Sequence, residues 1–459
     1  MHPVNGGPSW LPETRFVRSG GADIAYQIVG DGPIDVVLLA GWISHCEIAW
    51  ELPENARFLE QFAEFSRVFR VDRRGVGMSD RTVQGVTLDD RIEDLLAVLD
   101  AGGSERAAIC AWGHGVADAV LLAATYPHRV RALVLGAVTA KVRGEPGSES
   151  WGADPAALEQ WTAFIESRWG RGDVLRLLAP SVADDQRIIT WWQRFERNAA
   201  TPNTAAALFR ELLELDIRDV LPAVQVPTLV IHRQDAPVVH SGGARWFAEQ
   251  IPGSRYVELP GTDTLPYFGD ADRLVDEIRG FLTGIEGPVR ENRVLATVVF
   301  IDVVESTRQA ERLGDRAWND LLQAYRVQVR RLMTRFRGNE VDNAGDGFLV
   351  TFDGPARGVR FALASCEAVR LLGLEIRAGV HTGEIEMGSG SVSGIAVHVG
   401  ARVASLADPS ETLVTTTVRD LVLGSRLSFL ERGVHRLKGV EGEWHLLHAV
   451  GPDEGAVRS

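Results

Sequence analysis

The sequence has few cysteines, no long apolar run and no excess of positive charge. Its three cysteines, Cys46, Cys110 and Cys366, are scattered along the chain, which predicts reduced core thiols rather than a disulfide framework. No apolar run is long enough to cross a bilayer, and the first residues lack the basic and apolar regions of a signal peptide. We therefore expect a cytoplasmic protein without a membrane span.

The net charge of -14 argues against a nucleic-acid partner, because such surfaces are basic. Hydrophobic residues at 45% and charged residues at 24% are typical of a folded protein. A chain of 459 residues is too long for one ordinary core. The sequence predicts a first domain over 1–284, a short polar linker over 285–292 and a second domain over 293–459.

Short apolar runs alternate with amphipathic segments in the first domain, which is typical of a βαβ architecture. The predicted strands lie at 36–40, 68–72, 107–111, 132–135, 228–231 and 256–259. The strand pattern disappears over about 145–224, where helical periodicity with several tryptophans predicts a helical cap. Packing between the cap helices is the favoured role of these tryptophans, and a ligand pocket is the alternative.

The order of these elements resembles the α/β-hydrolase family, as do the segments at 72–80 and 127–135. That family carries its nucleophile on a Gly-x-Ser-x-Gly elbow, whereas this chain has Ala-Trp-Gly-His-Gly with Gly113 at the serine position. Thr264 stands where the family has its histidine, and it cannot act as a base near neutral pH. Asp235 matches the acid, but an acid alone makes no triad. We expect an inactive scaffold, with an unknown small-molecule ligand left open; His114 as a replacement nucleophile or base is disfavoured.

Two acidic residues in the second domain follow strand patterns. Asp302 ends the apolar run 298–302, and Asp346 lies in a Gly-Asp-Gly turn between two predicted strands at 340–352. Carboxylates on neighbouring strands repel each other unless a positive charge lies between them. A divalent metal ion that carries substrate phosphates would supply that charge. Ser306 and Thr307 are predicted to cap the helix that follows, whose amino end would favour phosphate.

The remaining pattern predicts one long helix over about 306–336, a helix over 355–372 and a strand over 376–381. The resulting β-α-β-β-α-β order is the ferredoxin-like plan. The second domain resembles the class III nucleotide cyclase catalytic domain. The resemblance rests on motifs that follow one another in family order, at 300–307, 344–348, 377–383, 392–402 and 436–439. The fold class is therefore α/β, with an α/β-hydrolase fold and an α+β ferredoxin-like domain.

This resemblance implies that the ribose 3′-hydroxyl of a nucleoside triphosphate attacks the α-phosphate and that pyrophosphate leaves. Asp302 and Asp346 match the family's metal ligands for two Mg²⁺ or Mn²⁺ ions per site. Arg402 matches the arginine that stabilises the transition-state phosphate, and Lys438 matches a lysine that contacts the triphosphate. In the family these groups come from different subunits, which implies a homodimer.

The sequence departs from the family at the groups that hold the ribose and the purine. His398 replaces an asparagine that orients the ribose, and it can still donate one hydrogen bond. Asp342 stands at the purine-reading lysine, with Asn343 beside it, and Ser391 replaces that lysine's partner. An acid at 342 can accept hydrogen bonds from adenine or from guanine, so these residues leave the purine open.

We expect an adenylyl cyclase, because bacterial members that resemble this chain are mostly adenylyl cyclases. A guanylyl cyclase is the first alternative. A weakly catalytic ligand-sensing protein is the second, and an esterase is the least favoured of the hypotheses.

Overall fold

The computed structural model describes residues 11–81, 85–144, 153–284, 293–342, 345–387 and 392–451. The chain divides into two units. The first comprises Met1–Val86 and Asp90–Val289, and the second comprises Thr87–Asp89 and Arg290–Ser459. The predicted linker 285–292 lies outside the described residues. A search of the described helices finds none with the length and hydropathy needed to cross a bilayer.

A mostly parallel sheet with the order β1-β2-β4-β3-β5-β6-β7-β8 forms the centre of the first unit. Its strands are β1 Arg15–Ser19, β2 Ala22–Val29, β3 Ile34–Leu39, β4 Ser66–Val71, β5 Ala107–Trp112, β6 Val130–Gly136, β7 Thr228–Arg233 and β8 Arg255–Leu259. Strands β3 to β8 are the runs predicted from the sequence. The central strands β5, β6 and β7 are almost completely buried, and parallel strands buried on both faces are continuously apolar. The edge strand β8 is mostly half-buried. The antiparallel strands β1 and β2 were missed. Strand β1 is largely exposed, so its residues form no apolar run.

Helices cover this sheet and form the predicted cap. They are α1 Pro53–Ala63, α2 Leu88–Ala101, α3 Gly115–Thr125, α4 Pro155–Arg168, α5 Leu175–Leu178, α6 Gln186–Ala199, α7 Pro202–Glu214, α8 Ser241–Glu249 and α9 Ala271–Thr283. The cap consists of α4 to α7. Trp191 and Trp192 of α6 are buried in its core, and the indole of Trp191 donates a hydrogen bond to the carbonyl oxygen of Ile48 at 3.0 Å. These two tryptophans therefore serve packing.

The second unit contains a mixed sheet with the order β10-β11-β9-β12-β14-β16-β15, and β13 pairs with β12. Its strands are β9 Arg293–Val303, β10 Asn339–Asp342, β11 Phe348–Phe352, β12 Ile376–Met387, β13 Val392–Ser393, β14 Thr412–Thr415, β15 Ser428–His435 and β16 Trp444–Val450. Its helices are α10 Ser306–Leu313, α11 Asp315–Phe336, α12 Pro355–Arg370, α13 Ile395–Leu406 and α14 Thr416–Leu421. Strands β9 to β12 and the helices between them follow the predicted β-α-β-β-α-β order, which confirms the ferredoxin-like plan.

Two predictions of element length were wrong. The predicted single helix over 306–336 is two helices, because Gly314 between α10 and α11 has a φ of 76°, which an α-helix cannot contain. The strand predicted over 376–381 continues to Met387 as β12, because it pairs with β9 over the whole length of that strand. Pairing with a neighbour, which the local pattern does not show, decides where this strand ends.

The two faces of the second sheet pack against different helices. Buried residues of α11 and α12 share one apolar core with alternate residues of β9, among them Val299, Ile301 and Val303. Helix α13 covers the opposite face. It lies so close to β12 that a Cβ atom built on Gly379 would stand 2.1 Å from the backbone nitrogen of Ala404. Glycine at this position fixes where α13 can lie, and with it the polar residues that α13 carries.

Candidate active site

The end of β9 and the turn between β10 and β11 lie side by side. Phe348 pairs with Ile301 in the antiparallel register of β11 and β9, so the next residues outward are Gly347 and Asp302. Asp302 is half-buried, and so is Asp346, the residue before Gly347. The sheet register thus brings the two predicted metal ligands to the same end of the neighbouring strands β9 and β11.

Asp302 forms an ion pair with Arg377, a residue that the sequence reasoning did not assign to the site. The guanidinium Nη2 of Arg377 donates a hydrogen bond to Oδ2 of Asp302 at 2.9 Å. The two residues are direct partners in the pairing of β12 with β9. Arg377 opens one of the motifs that carry the cyclase resemblance, and this position was the available signal. Its charge becomes informative only once the register places it opposite Asp302.

A cleft of about 230 Å³ opens at these strand ends. Its lining comprises Phe300, Ile301, Asp302, Asp342, Gly347, Phe348, Leu349, Arg377, Ala401, Ala404 and Ser405. Asp342, the predicted purine contact, therefore shares a cavity with the predicted metal ligand Asp302. Asn343, assigned beside it, lies outside the described residues. One guanidinium and two carboxylates in one cleft can together engage phosphate groups, a cation and a hydrogen-bonding base.

Helix α13 presents His398 and Arg402 one turn apart on its exposed face. The guanidinium Nε of Arg402 donates a hydrogen bond to the backbone carbonyl oxygen of Lys438, at 3.1 Å. The fold thus joins the two predicted phosphate contacts, which lie far apart in sequence. His398, Arg402 and Lys438 are not among the described residues that line the cleft of Asp302. Ser391 lies outside the described residues.

The predicted cap by Ser306 and Thr307 was wrong. Glu305 occupies the N-cap position of α10 with a φ of 52°, and no side chain of the cap accepts a hydrogen bond from the helix. Ser306 and Thr307 are the first residues of the helix itself. Glu305 lies two residues after Val303, the last residue of β9. Its left-handed backbone stands where an ordinary N-cap residue is extended.

The donor set of the site suits a hard divalent cation that binds together with its substrate. Within the part of the chain that the structure describes, no three His, Cys, Asp or Glu side chains are placed to hold a metal ion by themselves. Asp302 and Asp346 supply carboxylate oxygens. Mg²⁺ typically binds one or two carboxylates and completes its shell with water and substrate phosphates. Asp302 lines the cleft, whereas Asp346 lies in the adjoining turn and is not among the described lining residues. Two carboxylates placed in this way suit an ion that the substrate helps to hold.

The first unit retains a nucleophile elbow without a nucleophile. Gly113 lies between β5 and α3 with a φ of 54°, and its N–H donates a hydrogen bond to the carbonyl oxygen of Gly136 at 3.1 Å. A Cβ atom built on Gly113 would meet only the Cα atom of Gly41, at 3.8 Å. The backbone has the sharp turn of an elbow, and space remains for a side chain.

The neighbouring loops supply no working triad. Thr264 lines a small cavity with Trp112 and His232, and its volume of about 20 Å³ is close to the space for one water molecule. Asp235 lies exposed after β7. His114 is buried, and Arg73 donates a hydrogen bond to its Nδ1 at 3.3 Å. Burial, followed by the charges of Arg73 and Arg91, holds the pKa of His114 well below its ordinary value, so His114 stays neutral.

The comparisons with known proteins separate along the same two units. The family model described as Alpha/beta hydrolase family matches residues 36–277. The chain belongs to the alpha/beta hydrolase family. The family model described as Adenylate and Guanylate cyclase catalytic domain matches residues 290–449. The second unit is thus a cyclase catalytic domain fused to an alpha/beta hydrolase domain that lacks the catalytic serine and histidine.

Individual relatives agree with this division. The hydrolase domain is similar to a pimeloyl-(acyl-carrier protein) methyl ester esterase of Nitrosomonas europaea, with 29% identity over 264 residues, 55% of this chain and 97% of that protein. The cyclase domain is similar to the protein named Putative adenylate cyclase 3 of Rhizobium meliloti, with 27% identity over 164 residues, 34% of this chain and 28% of that protein. The crystal structure of MGS-M2, an alpha/beta hydrolase enzyme from a deep-sea metagenome library, covers 60% of this chain and 100% of its own at 17% identity and a TM-score of 0.50.

Proposed function

We propose that the protein converts ATP to 3′,5′-cyclic AMP and pyrophosphate. In this reaction the ribose 3′-oxygen forms a bond to the α-phosphorus, the bond from that phosphorus to the bridging oxygen of the β-phosphate breaks, and the hydroxyl loses its proton. The observation that carries the proposal is the cleft in the cyclase domain that brings Asp302, Asp342 and Arg377 together. The similarity of this domain to the Rhizobium meliloti protein named Putative adenylate cyclase 3 favours ATP over GTP.

Asp302 and Asp346 would hold two Mg²⁺ or Mn²⁺ ions together with the triphosphate. Such ions lower the pKa of the attacking hydroxyl and neutralise charge on the phosphates. The ion pair of Arg377 with Asp302 supports this role, because it shows that a positive charge is stable beside that carboxylate. With a nucleotide bound, the Arg377 guanidinium is placed to contact phosphate oxygens in the same cleft.

Arg402 and Lys438 would act on the phosphates from a second copy of the chain. Both are exposed, and neither belongs to the described lining of the cleft that contains Asp302. A planar guanidinium suits the transition-state phosphate, because it offers paired donors to two oxygens. His398, one turn before Arg402, would donate a hydrogen bond to the ribose. A homodimer completes the site on this proposal.

Asp342 would contact the purine, with Asn343 and Ser391 as its proposed companions. As an acceptor, a carboxylate binds the amino group of adenine and also N1–H and N2–H of guanine. Cyclisation of GTP is therefore the alternative, and Asp342 is the residue that favours it. The hydrolase domain would serve as a scaffold or regulatory domain, since it has neither nucleophile nor base.

The test is incubation of the purified full-length protein with Mn²⁺ and either ATP or GTP, followed by separation of the cyclic products. We expect cyclic AMP from the wild type and none from Asp302→Asn or Asp346→Asn. Asp235→Asn in the hydrolase domain is the matched control and should retain activity. Cyclic GMP alone would overturn the choice of ATP. Full activity of Asp302→Asn would overturn the assignment of the metal ligands.

A further inference from the structure

The hydroxyl of Tyr325 is buried in the core of the second unit and has no hydrogen-bond partner among the described residues. Tyr325 lies on α11 and is 0% exposed. The other buried residues of this helix are apolar, namely Leu322, Val329, Leu332 and Met333. A phenylalanine would fill the same space in this core. An unsatisfied buried hydroxyl costs stability, so packing alone does not account for a tyrosine.

The ring of Tyr325 contacts the strand that follows the turn with Asp346. It packs edge-on against Phe348, with ring centroids 5.6 Å apart, and Phe348 lies two residues after Asp346. Burial raises the pKa of the phenol, and the carboxylates of Asp346 and then Asp302 raise it further. The negative charges of both carboxylates therefore reach the Tyr325 side chain.

We infer that Tyr325 is a positioning residue, whose hydroxyl donates a hydrogen bond to a carboxylate oxygen of Asp346 when cation and nucleotide are bound. The inference rests on the proposed function. A carboxylate has two oxygens, so one can face the cation while the other accepts from the phenol. Hydrogen bonds of this kind orient metal-ligating carboxylates, and their loss typically weakens metal binding by about tenfold to a hundredfold.

This arrangement makes an unusual prediction for Tyr325→Phe. The substitution removes an unsatisfied polar group from the protein without ligands, so its Tm should be unchanged or higher by a few degrees, about 2–4 °C at most. With ligands, the variant loses a hydrogen bond that the wild type gains. The rise in Tm on adding ligand should therefore shrink, while the Tm of the free protein does not fall. If the tyrosine hydroxyl served only the fold, Tyr325→Phe would lower the Tm of the free protein and leave the rise on adding ligand unchanged.

The experiment measures thermal unfolding of the full-length protein by calorimetry, with and without Mn²⁺ and 3′-deoxy-ATP or 3′-deoxy-GTP. These nucleotides lack the attacking hydroxyl and so remain unreacted. The dissociation constant for Mn²⁺ at a fixed nucleotide concentration is measured in parallel by electron paramagnetic resonance. We expect this constant to rise at least about tenfold in Tyr325→Phe. Tyr256→Phe is the matched control, because the Tyr256 hydroxyl is also buried without a described partner but belongs to the hydrolase domain.

The outcomes separate the inference from the proposed function. If the wild type shows neither a rise in Tm nor Mn²⁺ binding with either nucleotide, the proposed function fails. If the wild type binds and Tyr325→Phe binds equally well, only the role of Tyr325 fails. A lower Tm of the free variant with an unchanged response to ligand would also overturn the inference, since the hydroxyl would then be satisfied within the fold.

Discussion

The guanidinium of Arg402 donates a hydrogen bond from Nε to the backbone carbonyl oxygen of Lys438, at 3.1 Å. This contact joins α13 to the turn between β15 and β16. Among the described residues, the guanidinium of Arg402 has this contact through Nε, which orients its plane and leaves the two Nη groups to reach another molecule. A lysine cannot reproduce this geometry, because its ammonium lacks the planar fork.

Arg402→Lys should therefore lower kcat by about a hundredfold or more, with little change in KM, because the lost interaction belongs to the transition state. Steady-state measurement of cyclic nucleotide formation gives both constants. Arg255→Lys, at an exposed ion pair of the first unit, is the control for a general effect of replacing arginine. Equal kcat values for Arg402→Lys and the wild type would contradict the role of the guanidinium.

Arg377→Ala should raise KM for the nucleotide, because the cleft loses the positive charge of the Arg377 guanidinium. The effect on folding should be small. Its ion pair with Asp302 is more than a third exposed at each side chain, and such pairs contribute about 0–1 kcal/mol. Kinetics and urea unfolding of the same preparation separate the two effects. Arg377→Lys, which keeps the charge, should recover part of the affinity. A large loss of stability with unchanged KM would show that the pair is structural.

Gly113→Ser should place a hydroxyl on the elbow without creating an esterase. A side chain fits there, but the left-handed backbone costs roughly 1–2 kcal/mol for a residue with a Cβ atom. Gly103→Ser is the control, since Gly103 has a φ of 66° and open space around it. We expect a similar loss of unfolding free energy in both variants and no turnover of short acyl esters. Esterase activity in Gly113→Ser would show that another group replaces the base missing at Thr264.

Glu196 should make the stability of the cap depend on pH. Its carboxylate is 0% exposed and accepts hydrogen bonds from the N–H groups of Gly170 and Gly172 and from the indole of Trp192. Burial nevertheless raises its pKa from 4.5 to about 7. Between these two pH values the folded protein holds a proton that the unfolded chain has released.

The contribution of Glu196 to stability is therefore full below pH 4.5 and is lost as the pH rises to about 7. The slope is about 1.4 kcal/mol per pH unit, or roughly 3 kcal/mol in all. Urea unfolding followed by tryptophan fluorescence at a series of pH values measures it. Glu196→Gln should flatten this dependence because glutamine does not titrate. A wild-type profile as flat as that of the variant would contradict the prediction.

The sequence predicted those elements whose signal is local. Short apolar runs indicated β3 to β8, most clearly the central strands β5, β6 and β7, because parallel strands in the middle of a sheet are buried on both faces. The alternation of strands and helices indicated the ferredoxin-like plan of the second unit. The substitutions at Gly113 and Thr264 were visible without coordinates, since they concern the chemistry of a side chain. Two errors lay at the break at Gly314 and at the N-cap of α10, where one residue with positive φ decides the outcome. The others were the end of β12, which its pairing with β9 decides, and the missed strands β1 and β2.

The sequence by itself determined the two fold classes and the loss of the hydrolase nucleophile and base, because hydrophobic periodicity and side-chain chemistry are properties of the chain. Only the tertiary structure decided that Arg377 faces Asp302, that Arg402 contacts Lys438, and that the buried Tyr325 packs its ring against Phe348. Each of these relationships joins residues on different elements. Strand register and helix packing create them, and neither is encoded in a local pattern.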